Sequence, residues 1–142
     1  MRSLHKMIER WKDEGLVLLP PEPESAVRAT FEKVGAIAAS DVIAMYTVLG
    51  GMPEMDDEYW RLWSLAEVTG DNTKGVATGV LFSDYLINCW CYRLVANDSD
   101  TSSVVADYFN RGPCIPVASS LEKFFDMYVE DSWQVLEGPG PD

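Results

Sequence analysis

GVLFSDYLINCWCYRLV, residues 79–95, is the stretch from which the fold is read. It is dense in β-branched and aromatic residues, which suit a pleated, half-buried surface, and it predicts two strands, 79–85 and 86–95, with a bend near Ser83 to Tyr85. Side chains alternate along a strand. In the second strand Leu86, Asn88, Trp90, Tyr92 and Leu94 therefore share one face, and Ile87, Cys89, Cys91, Arg93 and Val95 the other. Both faces are largely apolar, so this strand is either central and covered on both sides or carries one open aromatic surface.

Downstream, the polar stretch Asn97 to Ser103 reads as a loop and Val104 to Phe109 as another strand, closed by Arg111-Gly112-Pro113. Ser119 and Glu122 stand at capping-box spacing ahead of Leu121, Phe124, Phe125 and Tyr128, an apolar stripe that predicts a helix to about Asp131. Upstream, Tyr59 to Trp63 reads as a short strand, and Ser64 with Glu67 caps a brief helix. Ser40 caps a helix striped by Val42, Met45, Tyr46 and Leu49, with Gly50 and Gly51 as its left-handed exit. Val27, Phe31 and Val34 mark a helix ended by Gly35. The three prolines of Leu19 to Glu24 stiffen a connector. Leu4, Met7, Ile8 and Trp11 fall on one stripe of an opening helix stopped at Gly15.

No repeat is present. The order of elements predicts a single α+β domain: N-terminal helices, an antiparallel-rich central sheet and a closing C-terminal helix. Residues 1–24 form the first helix and Pro-rich connector, 25–131 the α+β body and 132–142 a tail, unstructured from Glu137 to Asp142.

Eleven Lys and Arg stand against 23 Asp and Glu, a formal charge of −12, so a phosphate backbone or an anionic lipid surface repels most of the molecule. Nucleic acid and membrane are thereby poor partners. With 47% hydrophobic residues the chain is too apolar for a disordered segment. Three cysteines make no even disulfide framework, and charges interrupt the N-terminal apolar positions every few residues, which points to a reducing cytoplasm.

Catalytic chemistry finds little to build on. The only histidine, His5, lies on the opening helix beside Leu4 and reads as a solvated residue; nucleophilic triads need an imidazole held beside the nucleophile. Cys89 and Cys91, two apart on one strand face, would have Cα atoms about 6.6 Å apart and parallel side chains, a geometry against a disulfide. They read as buried structural thiols. No phosphate loop or calcium loop is present, and no cofactor or metal is expected. The carboxylates Glu54, Asp56, Asp57 and Glu58, with Asp98 and Asp100 in the later loop, read as a solvated acidic surface able to steer a basic partner. Trp60 and Trp90 are the candidate aromatic anchors.

Several blocks together resemble one family. The helix ending in Leu49-Gly50-Gly51, the aromatic strand running into Trp63-Ser64-Leu65-Ala66-Glu67-Val68, the block 79–94, and the strand 105–109 leading through Gly-Pro to Ala118-Ser119-Ser120-Leu121-Glu122-Lys123-Phe124-Phe125 are similar to the SUKH superfamily over about residues 25–131. That superfamily comprises fungal cell-wall-assembly regulators and bacterial relatives, many of them immunity proteins of polymorphic toxin systems. The resemblance implies an α+β fold, a protein-binding role and no catalytic residues. The expectation is an immunity protein that neutralises a cognate toxin with a basic surface, such as a nuclease; the alternative is a regulatory adaptor with a non-toxin partner.

Overall fold

The computed structural model describes residues 1–109 and 111–138. Strands β1 (Trp60–Leu62), β2 (Val80–Tyr85), β3 (Trp90–Ala96), β4 (Ser102–Asp107) and β5 (Ile115–Ala118) form one antiparallel sheet, each paired with its neighbours in chain order. Helices α1 (Arg2–Asp13), α2 (Glu24–Val34) and α3 (Ser40–Tyr46) precede it. Helix α4 (Leu65–Asp71) follows β1, and α5 (Leu121–Glu130) with the short α6 (Trp133–Leu136) closes the chain. The architecture is the single-domain α+β fold expected from the order of elements.

Alternation along the strands decides what is inside. Trp60 and Leu62 of β1, Tyr92 and Leu94 of β3, and Val104 and Ala106 of β4 are buried on one face of the sheet, and α5 lies against it. Trp60 is the centre of this core. Its ring lies 5.8 Å from Phe124, 6.0 Å from Phe125 and 5.6 Å from Tyr128, and stacks on Trp11 of α1 at 6.1 Å. The stripe Leu4, Met7, Ile8 and Trp11 is buried in the same core, so the N-terminal helix is built into the body rather than appended to it. No helix among the described residues is long and apolar enough to cross a membrane.

Several expected boundaries move. The β2–β3 turn is Leu86 to Cys89, not Ser83 to Tyr85, and β3 begins only at Trp90. Cys89 is therefore exposed in a turn, whereas Cys91 is buried on the sheet; both thiols are free. β3 is the middle strand, covered by α5 on its Tyr92 face and open at Val95 on the other. Helix α3 ends at Tyr46, before Gly50 and Gly51. Gly50 instead serves close approach: a Cβ there would stand 2.0 Å from the Pro20 carbonyl oxygen. Ser40 is the first residue of α3 and its hydroxyl donates to the Ser99 carbonyl, so it does not cap the helix. The α5 cap is Ser120, accepting from the Lys123 N–H, rather than Ser119. The edge strand β5, carrying Pro116, and helix α6 were not anticipated. Of the expected unstructured tail, 139–142 lies outside the described residues.

The capping box at Ser64 and Glu67 forms as its spacing predicts, with Ser64 Oγ accepting from Glu67 N at 3.2 Å and Glu67 Oε1 from Ser64 N at 3.1 Å. Ser64→Ala should lower stability by ~1 kcal/mol, read as a fall in the urea midpoint at unchanged m-value. An unmoved midpoint would mean that tertiary packing alone holds α4.

Candidate functional site

Antiparallel pairing brings distant pieces of chain to one end of the sheet. Trp60 pairs with Tyr85, Tyr85 with Trp90, Cys91 with Asp107 and Ala106 with Ile115. Tyr59, the turn Leu86 to Cys89, Tyr108 with Phe109, and the start of β5 therefore emerge together. The β3–β4 loop, with Asp98 and Asp100, lies at the opposite end, where Ala96 pairs with Ser102.

The acidic segment before β1 is organised by its one buried member. Asp56 Oδ1 accepts the N–H groups of Glu58 and Trp60, each at 3.0 Å, and Oδ2 accepts Trp11 Nε1 at 3.0 Å and the Tyr128 hydroxyl. One carboxylate thus ties the loop to α1, β1 and α5. Burial pushes its pKa above the ordinary carboxylate value, against the pull of the hydrogen bonds from Tyr128, Trp60, Trp11 and Glu58. Asp56, at 4% exposure, and Trp60, at 0%, are structural residues and not part of any surface that a partner meets. Glu54 and Asp57 are exposed and Glu58 half-buried, its carboxylate accepting from the Ser132 hydroxyl at 3.0 Å.

The remaining sequence candidates separate. Trp90 is half-buried, stacked on Tyr85 at 4.3 Å and met edgewise by Tyr108 at 5.5 Å, while its Nε1 donates to the Tyr92 hydroxyl at 3.0 Å. It is a wall of the fold rather than a free anchor. Asp98 accepts the N–H groups of Asp100 and Thr101, each at 2.8 Å, which turns the loop and holds its carboxyl below the usual range. The carbonyls of Ser99 and Asp100 accept from the first N–H groups of α3. Asp98 and Asp100 are thus exposed, but on a second, separate surface.

Beside the first surface lies a charge cluster that the sequence reading missed. Arg61 forks onto Glu67, with Nη1 to Oε1 at 3.2 Å and Nη2 to Oε2 at 2.6 Å, and its Nε lies 3.2 Å from Asp84 Oδ1. Burial pushes Asp84 up while the Arg61 charge pulls it down, leaving it raised overall. Glu67, partly buried, is nonetheless held low by Arg61 and the Ser64 N–H. Arg61 and Asp84 floor a cleft of about 500 Å³ whose rim includes Glu54, Met55 and Ile87.

Also missed are the apolar residues at this end. Tyr59, Leu86, Ile87 and Phe109 are exposed, and each takes positive φ, as does Asn88; these are the five non-glycine residues in that region among those described. Left-handed backbone costs an L-residue roughly 1–2 kcal/mol, and a β-branched Ile87 at φ 54° is a marked outlier. Only Asn88 carries a composition signal for such a turn.

Burial and the Asp84 and Asp107 charges push the Cys91 thiol up to about 12, so it is not poised as a nucleophile. Among the described residues no three His, Cys, Asp or Glu groups gather to hold a metal ion. No family model, curated protein or solved structure matches the chain.

Proposed function

We propose that this chain is a protein-binding immunity protein that holds a cognate toxin with a basic surface in the cytoplasm and blocks it. The observation that carries this reading is the acidic loop: within a chain of charge −12, buried Asp56 holds the backbone N–H groups of Glu58 and Trp60, in a segment where Glu54 and Asp57 are exposed and Glu58 is half-buried. A preorganised negative rim raises the encounter rate with a cationic partner and lowers the loop entropy lost on docking. The SUKH-like order of blocks supports the same class of function.

Co-expression with the product of the adjacent gene in the native host tests it. Growth arrest caused by that product should be relieved by the wild-type chain. Glu54→Lys combined with Asp57→Lys should slow association by about tenfold at low ionic strength and flatten its salt dependence. Equal association rates for the two forms would remove the acidic loop from the account, and recovery of several housekeeping proteins in place of a toxin would favour the adaptor.

A further inference from the structure

We infer that the end of the sheet formed by Tyr59, Leu86, Ile87 and Phe109 is the docking face for an apolar side chain of a partner protein whose flanking residues are Lys or Arg. This deepens the proposed protein-binding function and rests on it. Three observations converge. Nine large apolar side chains are exposed among the described residues; five of them, Tyr59, Leu86, Ile87, Phe109 and Ile115, emerge where the strand ends gather. Exposed apolar residues are ordinary when scattered and informative when gathered.

The second observation is the backbone that displays them. The β2–β3 turn takes φ 48°, 54° and 61° at Leu86, Ile87 and Asn88, where glycine or asparagine would fold more easily. Leu86 N donates to the Tyr59 carbonyl at 2.8 Å, and Tyr59 stands edgewise on Tyr85, so the strained turn is pinned rather than loose. With Ile87 at 75% exposure, its side chain returns little packing to the fold for that strain.

The third is charge. Glu54 and Ile87 line the same cleft, and Glu58 directly precedes the exposed Tyr59. An apolar centre with carboxylates at its rim complements an apolar anchor with cationic neighbours. A second copy of this chain fits poorly, because a twofold contact here would set the same carboxylates against each other.

A phage-displayed random peptide library, selected on the intact chain, supplies the probe, and the exposed thiol of Cys89 in the turn supplies a native reporter. Selected peptides should place Lys or Arg beside an aromatic or aliphatic residue and should slow alkylation of Cys89 by iodoacetamide. Ile87→Asp should weaken them about tenfold or more. Ile87→Gly should weaken them similarly while leaving Tm unchanged or higher, since glycine relieves the left-handed strain. A Tm fall in Ile87→Gly would make the side chain structural and overturn the assignment.

Basic peptides that respond to Glu54→Lys and Asp57→Lys but ignore Ile87→Asp and Phe109→Ser would remove the docking face and leave the acidic reading standing. Peptides without cationic enrichment, or no binders at all, would overturn both. Concentration-dependent dimerisation abolished by Ile87→Asp would assign the face to a second copy and overturn it as stated.

Discussion

Replacing Asp56 with alanine should destabilise the fold by about 3–5 kcal/mol, near the upper end of single-substitution effects. The side chain accepts from Trp11 Nε1, the Tyr128 hydroxyl and the N–H groups of Trp60 and Glu58. Alanine strands these donors, most of them buried, and an orphaned donor costs its full desolvation, roughly 1–3 kcal/mol each and less than additively. Release of the carboxylate from its buried site offsets part of that loss. Asp56→Asn should cost less, since the amide oxygen still accepts while its NH₂ meets donors. Because burial raises the folded pKa above the ordinary value of 3.8, the proton is held more tightly in the folded state. The resulting stabilisation is complete below that value and is lost as pH rises through the raised pKa; Asp56→Asn should abolish that slope. Urea unfolding of the three proteins across mildly acid to neutral pH measures both effects. An Asp56→Ala midpoint equal to wild type would show that helix packing, not the carboxylate, ties the N-terminal helix to the closing one.

Arg61→Met should cost about 3 kcal/mol at neutral pH, and the loss should shrink as the solution is acidified. The guanidinium satisfies Glu67 twice, Asp84 once and the Met52 carbonyl at 3.3 Å. Methionine fills much of the volume but leaves Asp84, 2% exposed, as a buried charge without its cation. The sign follows from both carboxylates. Without Arg61, Asp84 is raised further, so the variant regains stability as pH falls through that pKa. Glu67, held low in the wild type, contributes stability present above its ordinary 4.5 and lost as pH falls through its folded pKa; the variant keeps only the part that Ser64 supplies and so has less to lose. Both effects narrow the gap between wild type and variant on the acid side. A gap constant from pH 7.5 to pH 4.5, or one that widens, would contradict this assignment of the charges. Arg61→Met combined with Asp84→Leu should recover most of the loss, as expected when both members of a buried pair become apolar.

Helices α1 to α5 were legible in outline because their signals are local, whereas the four-residue α6 was not. The stripe Leu4, Met7, Ile8, Trp11 needs only the 3.6-residue period, and Ser64 with Glu67 only a three-residue spacing. The sheet was legible as strands but not at its turn. Leu86-Ile87-Asn88 carries no glycine or proline and looks like strand, yet the chain turns there in left-handed backbone. Local preference and tertiary structure disagree at that point, and the disagreement falls on an exposed surface. β5 was hidden by its four residues and by Pro116, tolerable because the strand is at an edge.

The candidate site was half legible. Glu54, Asp57 and Glu58 stand where a charge run predicts, near or at the surface. Asp56, inside the same run, is buried because its partners Trp11 and Tyr128 lie 45 and 72 residues away, beyond the reach of any local pattern. The alternation that turns Trp60 inward was readable in principle; its neighbours in the core were not. Arg61, Glu67 and Asp84 meet only through strand pairing and the start of α4, so their cluster has no sequence spacing of its own.

Capture of a basic protein by the acidic loop, as proposed above, makes association depend on ionic strength. Stopped-flow association of the purified chain with the protein that co-purifies from its native host, followed from low to high ionic strength, tests it most directly. Association should slow steeply with added salt and lose that dependence in the Glu54→Lys, Asp57→Lys form. An association rate indifferent to salt and to those substitutions would contradict it.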